Sequence, residues 1–157
     1  MKSRWRGNLR TRIRVASGLV LFAFALTHFI NIGFGLFSSE LMAAGQALRQ
    51  TVTRSLPGSV LLYAALFTHA GLALYRQGRR TTLRMPLWEA MQIVLGLLIP
   101  LLLTAHIVHT RVAHSLFDVN DSFKYLVALI FDTTDGWLQS LLMLIVWTHA
   151  CIGLHFW

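Results

Sequence analysis

Four stretches of the chain carry no Asp, Glu, Lys or Arg and read as long apolar runs: Ala16 to Phe37, Pro57 to Tyr75, Ala90 to Thr110 and Gly136 to Trp157. Each is close to the roughly 20 residues that a helix rising about 1.5 Å per residue needs to cross a hydrocarbon core. The pattern predicts an all-α membrane protein, an up-down bundle of four transmembrane helices over about 15–37, 57–76, 87–113 and 136–157. It forms one transmembrane domain over 1–157. Between the first two spans, "ELMAAGQALRQTVTRSL" is amphipathic and is expected to lie along the outer surface, with Ser38 and Ser39 supplying capping chemistry. Pro57 suits the first turn of helix 2, Pro86 and Glu89 mark the start of helix 3, and Pro100 inside helix 3 predicts a kink. "SFKYLVALIF" is too short to span and is predicted as an interfacial helix over about 122–131. No short repeat stands out.

Composition agrees: 55% of the 157 residues are hydrophobic and only 13% charged, too oily for a soluble domain of this size. The first apolar run has 22 residues, longer than the h-region of a cleaved signal peptide, and reads as a retained span. Six of the 14 Lys and Arg precede helix 1, and Arg76, Arg79, Arg80 and Arg84 lie between helices 2 and 3. The other connections hold only Arg49, Arg54, Arg111 and Lys124. By the positive-inside rule the N-terminus and the 2–3 loop face the cytoplasm of a multi-pass inner-membrane protein. The net charge of +8 is thereby explained by lipid headgroups, without nucleic acid as a partner. The single Cys151 excludes an internal disulfide and a CxxCH haem attachment. The end at "GLHFW", without a polar cap, is expected of one module in a longer polypeptide.

Against this background the seven histidines are the chemical signal. An ionisable side chain in hydrocarbon is costly and usually faces a partner. Counted along the helices at about 1.5 Å per residue, His69 and His149 both fall about 18 Å from the outer starts of their spans, in the inner half. His28 lies about 20 Å, and His106 about 24 to 27 Å, above the inner starts of theirs, in the outer half. In an up-down bundle each pair shares a diagonal of about 14 Å, room for a metal between two imidazoles. Small residues near the histidines (Ala25, Gly35, Ala65, Gly71, Ala73 and Gly153) offer flat space. A tetrahedral zinc needs four converging ligands and no intramembrane carboxylate completes another set, so the pattern favours two haems b. His109, His114 and His155 approach the interfaces and fit ligation less well. Arg12, Arg14, Arg76 and Arg84 are candidate propionate partners for an inner haem, and Arg49, Arg54 and Arg111 for an outer one.

The stretches "RVASGLVLFAFALTHFINIGFGL", "LLYAALFTHAGLALY", "TLRMPLWEAMQIVLGLLIPLLLTAHIVHTR" and "WTHACIGLHFW" resemble the dihaem cytochrome b membrane anchor that precedes the catalytic domain of certain bacterial class III adenylate cyclases. That anchor is itself similar to the cytochrome b subunit of succinate dehydrogenases and fumarate reductases. The likeness runs from Arg14 to Trp157 and includes the flanks of all four central histidines. It implies His28, His69, His106 and His149 as axial ligands of two haems b, a quinone or quinol as redox partner, and redox control of a cytoplasmic cyclase domain. It also allows a homodimer. The stretch from Arg14 to Ser17 and Gly18 resembles a quinone-site segment of succinate dehydrogenase anchors with spacing one residue longer. Neither a cyclase nor an iron-sulfur sequence is present in this chain. Glu89 and Gln92 near the inner face and His109 near the outer are candidate proton donors or acceptors for a quinone, Glu89 being equally explained by the helix dipole. Two other readings stand beside this one: the anchor subunit of a succinate:quinone or quinol:fumarate oxidoreductase, and a haem-free structural anchor whose histidines bond between helices.

Overall fold

The computed structural model describes residues 8–82, 84–131 and 133–155, apart from the side chain of Leu129. The first helix, α1 (Leu9–Phe34), begins well before the first apolar run because Asn8 caps it, its side-chain oxygen accepting from the Thr11 amide at 3.0 Å. Hydropathy marks where a helix enters lipid; the cap marks where the helix starts. The expected start near 15 is therefore corrected to Leu9, and the expected end at 37 to Phe34. Ser38 claims the following residues for a new helix by accepting from the Leu41 amide at 3.0 Å.

That helix, α2 (Ser39–Thr53), is the amphipathic connection, with Glu40 in its first turn. A tight turn joins it to α3 (Leu56–Gly78), where Ser55 caps the Gly58 amide at 3.2 Å and Pro57 occupies the first turn as expected. The turn needs a glycine at 58, since a Cβ there would run into the Val52 carbonyl.

The helix α4 (Leu87–Ile107) follows Pro86 and continues through Pro100. Further on, a π turn at Val108–Val112 leads into α5 (Ala113–Phe117). The span expected to end near 113 thus extends to Phe117, where Asp118 stops it in the left-handed conformation at φ 52°. The short α6 (Phe123–Ile130), capped by Ser122, falls within the short helix predicted over about 122–131. Last comes α7 (Thr134–His155); Phe156 and Trp157, placed by the sequence reading in helix 4, lie outside the described residues.

The described residues are all helix and connection, with no strand among them. Four segments are long and apolar enough to cross a membrane: Leu9–Phe34, Leu56–Gly78, Leu87–Phe117 and Thr134–His155. Their outward side chains are large and apolar, Phe67 being 73% exposed and Leu101 72%. Lipid, not water, is the solvent such a surface fits. The chain divides into two compact units between Arg84 and Met85. In the first, α3 and α2 pack on α1 around Ser17, Asn31, Met42 and Ala65; in the second, α7 packs on α4 and α6 on α7, with Leu142 and Ile145 buried.

Candidate functional site

In the first unit, His69 on α3 turns Nδ1 toward the backbone carbonyl of Arg14 on α1 at 3.0 Å. A carbonyl only accepts, so Nδ1 carries the hydrogen and donates, and Nε2 is left with its lone pair. The buried Ser17 donates its hydroxyl to the same carbonyl at 2.9 Å. The ring has room because residue 18 is glycine: a Cβ there would come within 2.9 Å of His69 Cε1. His28 lies ten residues further along α1, about 15 Å at helical rise. It is half-buried, nearly parallel to Phe24 with ring centroids 5.9 Å apart, and flanked by Phe29 at 6.0 Å. Arg49 of α2 holds its guanidinium 6.0 Å from the Phe24 ring, which puts a cation beside the neighbour of His28. Buried Asn31, one turn beyond His28, presses its side-chain oxygen against Gly45 of α2, where a Cβ would collide with it.

The second unit repeats the plan. His149 on α7 rests against Gly96 on α4, where a Cβ would be 3.0 Å from Cε1. His106, again ten residues beyond that glycine, donates Nδ1–H to Gln139 Oε1 of α7 at 2.7 Å and keeps its Nε2 lone pair. In place of the Arg14 carbonyl, Gln92 brings Nε2 of its amide to 3.4 Å from His149 Nε2. The Gln92 amide fits there because Gly153 opposite it has no side chain; a Cβ would stand 3.3 Å away. Each unit therefore carries one glycine-seated histidine and one histidine about 15 Å away along the first helix of the pair.

This duplication was open to sequence reading and was missed. Thr68-His69-Ala70 matches Thr148-His149-Ala150, and Gly18 to His28 matches Gly96 to His106, but so few positions agree over so long a period that no short repeat stands out. The structure also shows which small residues make room for the imidazole rings, glycines that the sequence reading did not single out for this. They are Gly18 and Gly96 on the facing helix; Gly71, on the helix of His69 itself, is exposed with nothing near its Cβ position.

Among the remaining candidates, His109 and His155 are exposed, whereas His114, like the four central histidines, is half-buried. His114 closes the turn after α5, with Nδ1 3.1 Å from the Val119 carbonyl and 3.7 Å from Asp121. Arg14 is half-buried beside the seat of His69, Arg111 lies in the π turn, Arg54 ends α2, and Arg12, Arg76 and Arg84 are exposed. Glu89 opens α4 one turn before Gln92. No family model matches the chain, and no curated protein or solved structure is significantly similar to it.

Proposed function

We propose that this chain is a dihaem b-type cytochrome anchor of a bacterial inner membrane, its N-terminus cytoplasmic, which exchanges electrons with the quinone/quinol pool and serves as redox input to a cytoplasmic adenylate cyclase domain. On this reading His69 and His149 would hold one haem and His28 and His106 the other. The observation that carries the reading is the bond from His69 Nδ1 to the Arg14 carbonyl. A neutral imidazole anchored through Nδ1 is the form a ligating histidine takes, its orientation fixed and its Nε2 made more basic. His106 has the same arrangement through Gln139. Bound there, haem b supplies reversible one-electron chemistry. The chain's own residues orient the ligands, exclude water by their apolar surroundings, and offer Arg14 and Arg111 as cations for carboxylates.

One contact favours a haem-free helical anchor instead: Gln92 occupies the His149 nitrogen that iron would require. Pyridine haemochrome analysis separates the two readings. Wild-type protein is expected to hold about two haems per chain with a b-type spectrum, and His28→Ala, His69→Ala, His106→Ala and His149→Ala each to lose one haem and retain the other. Colourless protein from haem-replete cells would reject the proposal.

A further inference from the structure

Where α1 begins and α3 ends, two guanidinium groups converge on one phenol. Arg10 donates Nη1–H to the Tyr75 hydroxyl oxygen at 2.8 Å, and Arg79 donates to the same oxygen at 3.2 Å. Both also stand near the ring, their Cζ atoms 4.9 and 5.8 Å from its centroid. Two like charges are thus gathered at a neutral acceptor, which does nothing to offset their repulsion. The unit supplies no counter-charge at that end. Residues 1–84 contain twelve Lys and Arg and a single acid, Glu40. Glu40 opens α2, beyond the opposite end of α1, so it is separated from Arg10 by about 36 Å of helix. The pair is also placed at a particular depth. Tyr75 lies about 29 Å along α3 from Leu56, about the thickness of a hydrocarbon core, so a span that starts at Leu56 would bring the guanidinium groups to the headgroup phosphates.

We propose that Arg10 and Arg79, brought together on the Tyr75 hydroxyl, form a binding site for the phosphate of an anionic phospholipid headgroup. The site is independent of the haem reading, which uses neither arginine. Tyr75 spends its acceptor capacity on one N–H from each guanidinium, leaving each fork with further donors for phosphate oxygens. An anionic lipid is favoured over a zwitterionic one because the site carries two positive charges and no compensating carboxylate within its unit.

The test is native mass spectrometry of the purified full chain, titrated with phosphatidylglycerol, with phosphatidylcholine, or with inorganic phosphate. Wild type is expected to retain one phosphatidylglycerol about tenfold more tightly than phosphatidylcholine. Arg10→Gln and Arg79→Gln are each expected to weaken that retention about tenfold, while Lys124→Gln, which removes one exposed charge of the second unit, leaves it unchanged. Tyr75→Phe, which keeps both charges and the ring, is expected to weaken it severalfold, because the guanidinium groups lose their common anchor. Arg79→Lys restores charge without the fork and should recover only part of the loss. Unchanged elution and an unchanged thermal unfolding midpoint verify that these variants fold. Retention of phosphatidylglycerol at wild-type strength by the Arg10→Gln/Arg79→Gln double variant would overturn the site. Binding of millimolar inorganic phosphate that displaces the lipid completely would overturn the lipid assignment in favour of soluble phosphate.

Discussion

The α1/α3 pair and the α4/α7 pair seat a histidine against a glycine in the same way but hold the ring by different means. His69 is bonded to the backbone of the helix it faces, at 3.0 Å from the Arg14 carbonyl. A main-chain oxygen inside a helix cannot swing, so the ring is fixed in angle and in tautomer. His149 meets the end of a flexible side chain, Gln92, at 3.4 Å, beyond the usual range of a strong bond. The proposed haem reading thus meets a ring of fixed orientation at His69 and, at His149, a nitrogen that Gln92 has to release. Of the far histidines, His106 is tied to Gln139 at 2.7 Å, and the ring of His28 lies nearly parallel to Phe24 and tilted against Phe29. The duplicated plan thus includes a short bond to a histidine Nδ1 in each unit, on His69 in the first and on His106 in the second.

The glycine seats give the largest expected effects. Leucine at either position forces its side chain into the space of the imidazole, since even a Cβ would stand 2.9 Å from His69 Cε1 or 3.0 Å from His149 Cε1. Gly18→Leu and Gly96→Leu are both expected to lose most of one haem and spare the other, read as haem per chain. Alanine sharpens the comparison. The ring of His69 moves aside only by breaking its bond to a fixed main-chain oxygen, whereas the Gln92 side chain bonded to His149 can follow the ring, so Gly18→Ala should lower haem retention more than Gly96→Ala. Equal loss in the two alanine variants would show that the anchoring difference has no energetic weight.

A smaller effect is expected at the far end of the second unit. Gln139→Leu removes the acceptor that orients His106 while leaving the proposed ligand in place, and removal of such a partner typically costs about tenfold or more in affinity. The variant should still bind two haems at saturation but release one of them about tenfold faster to an apoprotein acceptor. Gln139→Glu, which keeps an acceptor, should restore retention and lower the midpoint potential of that haem, because a carboxylate makes the imidazole more electron-donating. Identical release from Gln139→Leu and wild type would mean that His106 is held by packing alone.

The spans were legible because lipid demands long uncharged runs, and the four histidines because an imidazole is conspicuous in such a run. Helix ends were less so. Asn8 starts α1 outside the apolar segment, and hydropathy does not register a cap. The π turn at Val108–Val112 has no residue signature, whereas Pro100, which has one, sits inside a helix that continues through it. Gly18 and Gly96 act across helices, so their role depends on the register between α1 and α3 and between α4 and α7, which the apolar pattern leaves undetermined. The bond of His69 was hidden for another reason: its partner is a main-chain atom, and every residue carries one.

Gln92 gives the smallest expected effect and the most direct test of the contrast between the two inner histidines. Without haem, its amide bond to His149 contributes about 1 kcal/mol, the usual net worth of a neutral hydrogen bond. With haem, Nε2 of His149 is committed to iron and the amide has no claim on it. Gln92→Leu should therefore lower the stability of haem-free protein by about 1 kcal/mol and leave the haem-loaded protein nearly unchanged, measured by thermal unfolding of both forms in the same detergent. Haem uptake should become correspondingly easier, because the competing bond no longer has to break. If the loaded protein is destabilised as much as the empty one, Gln92 bonds a nitrogen other than the ligating one, and the ring of His149 is anchored after all, as that of His69 is.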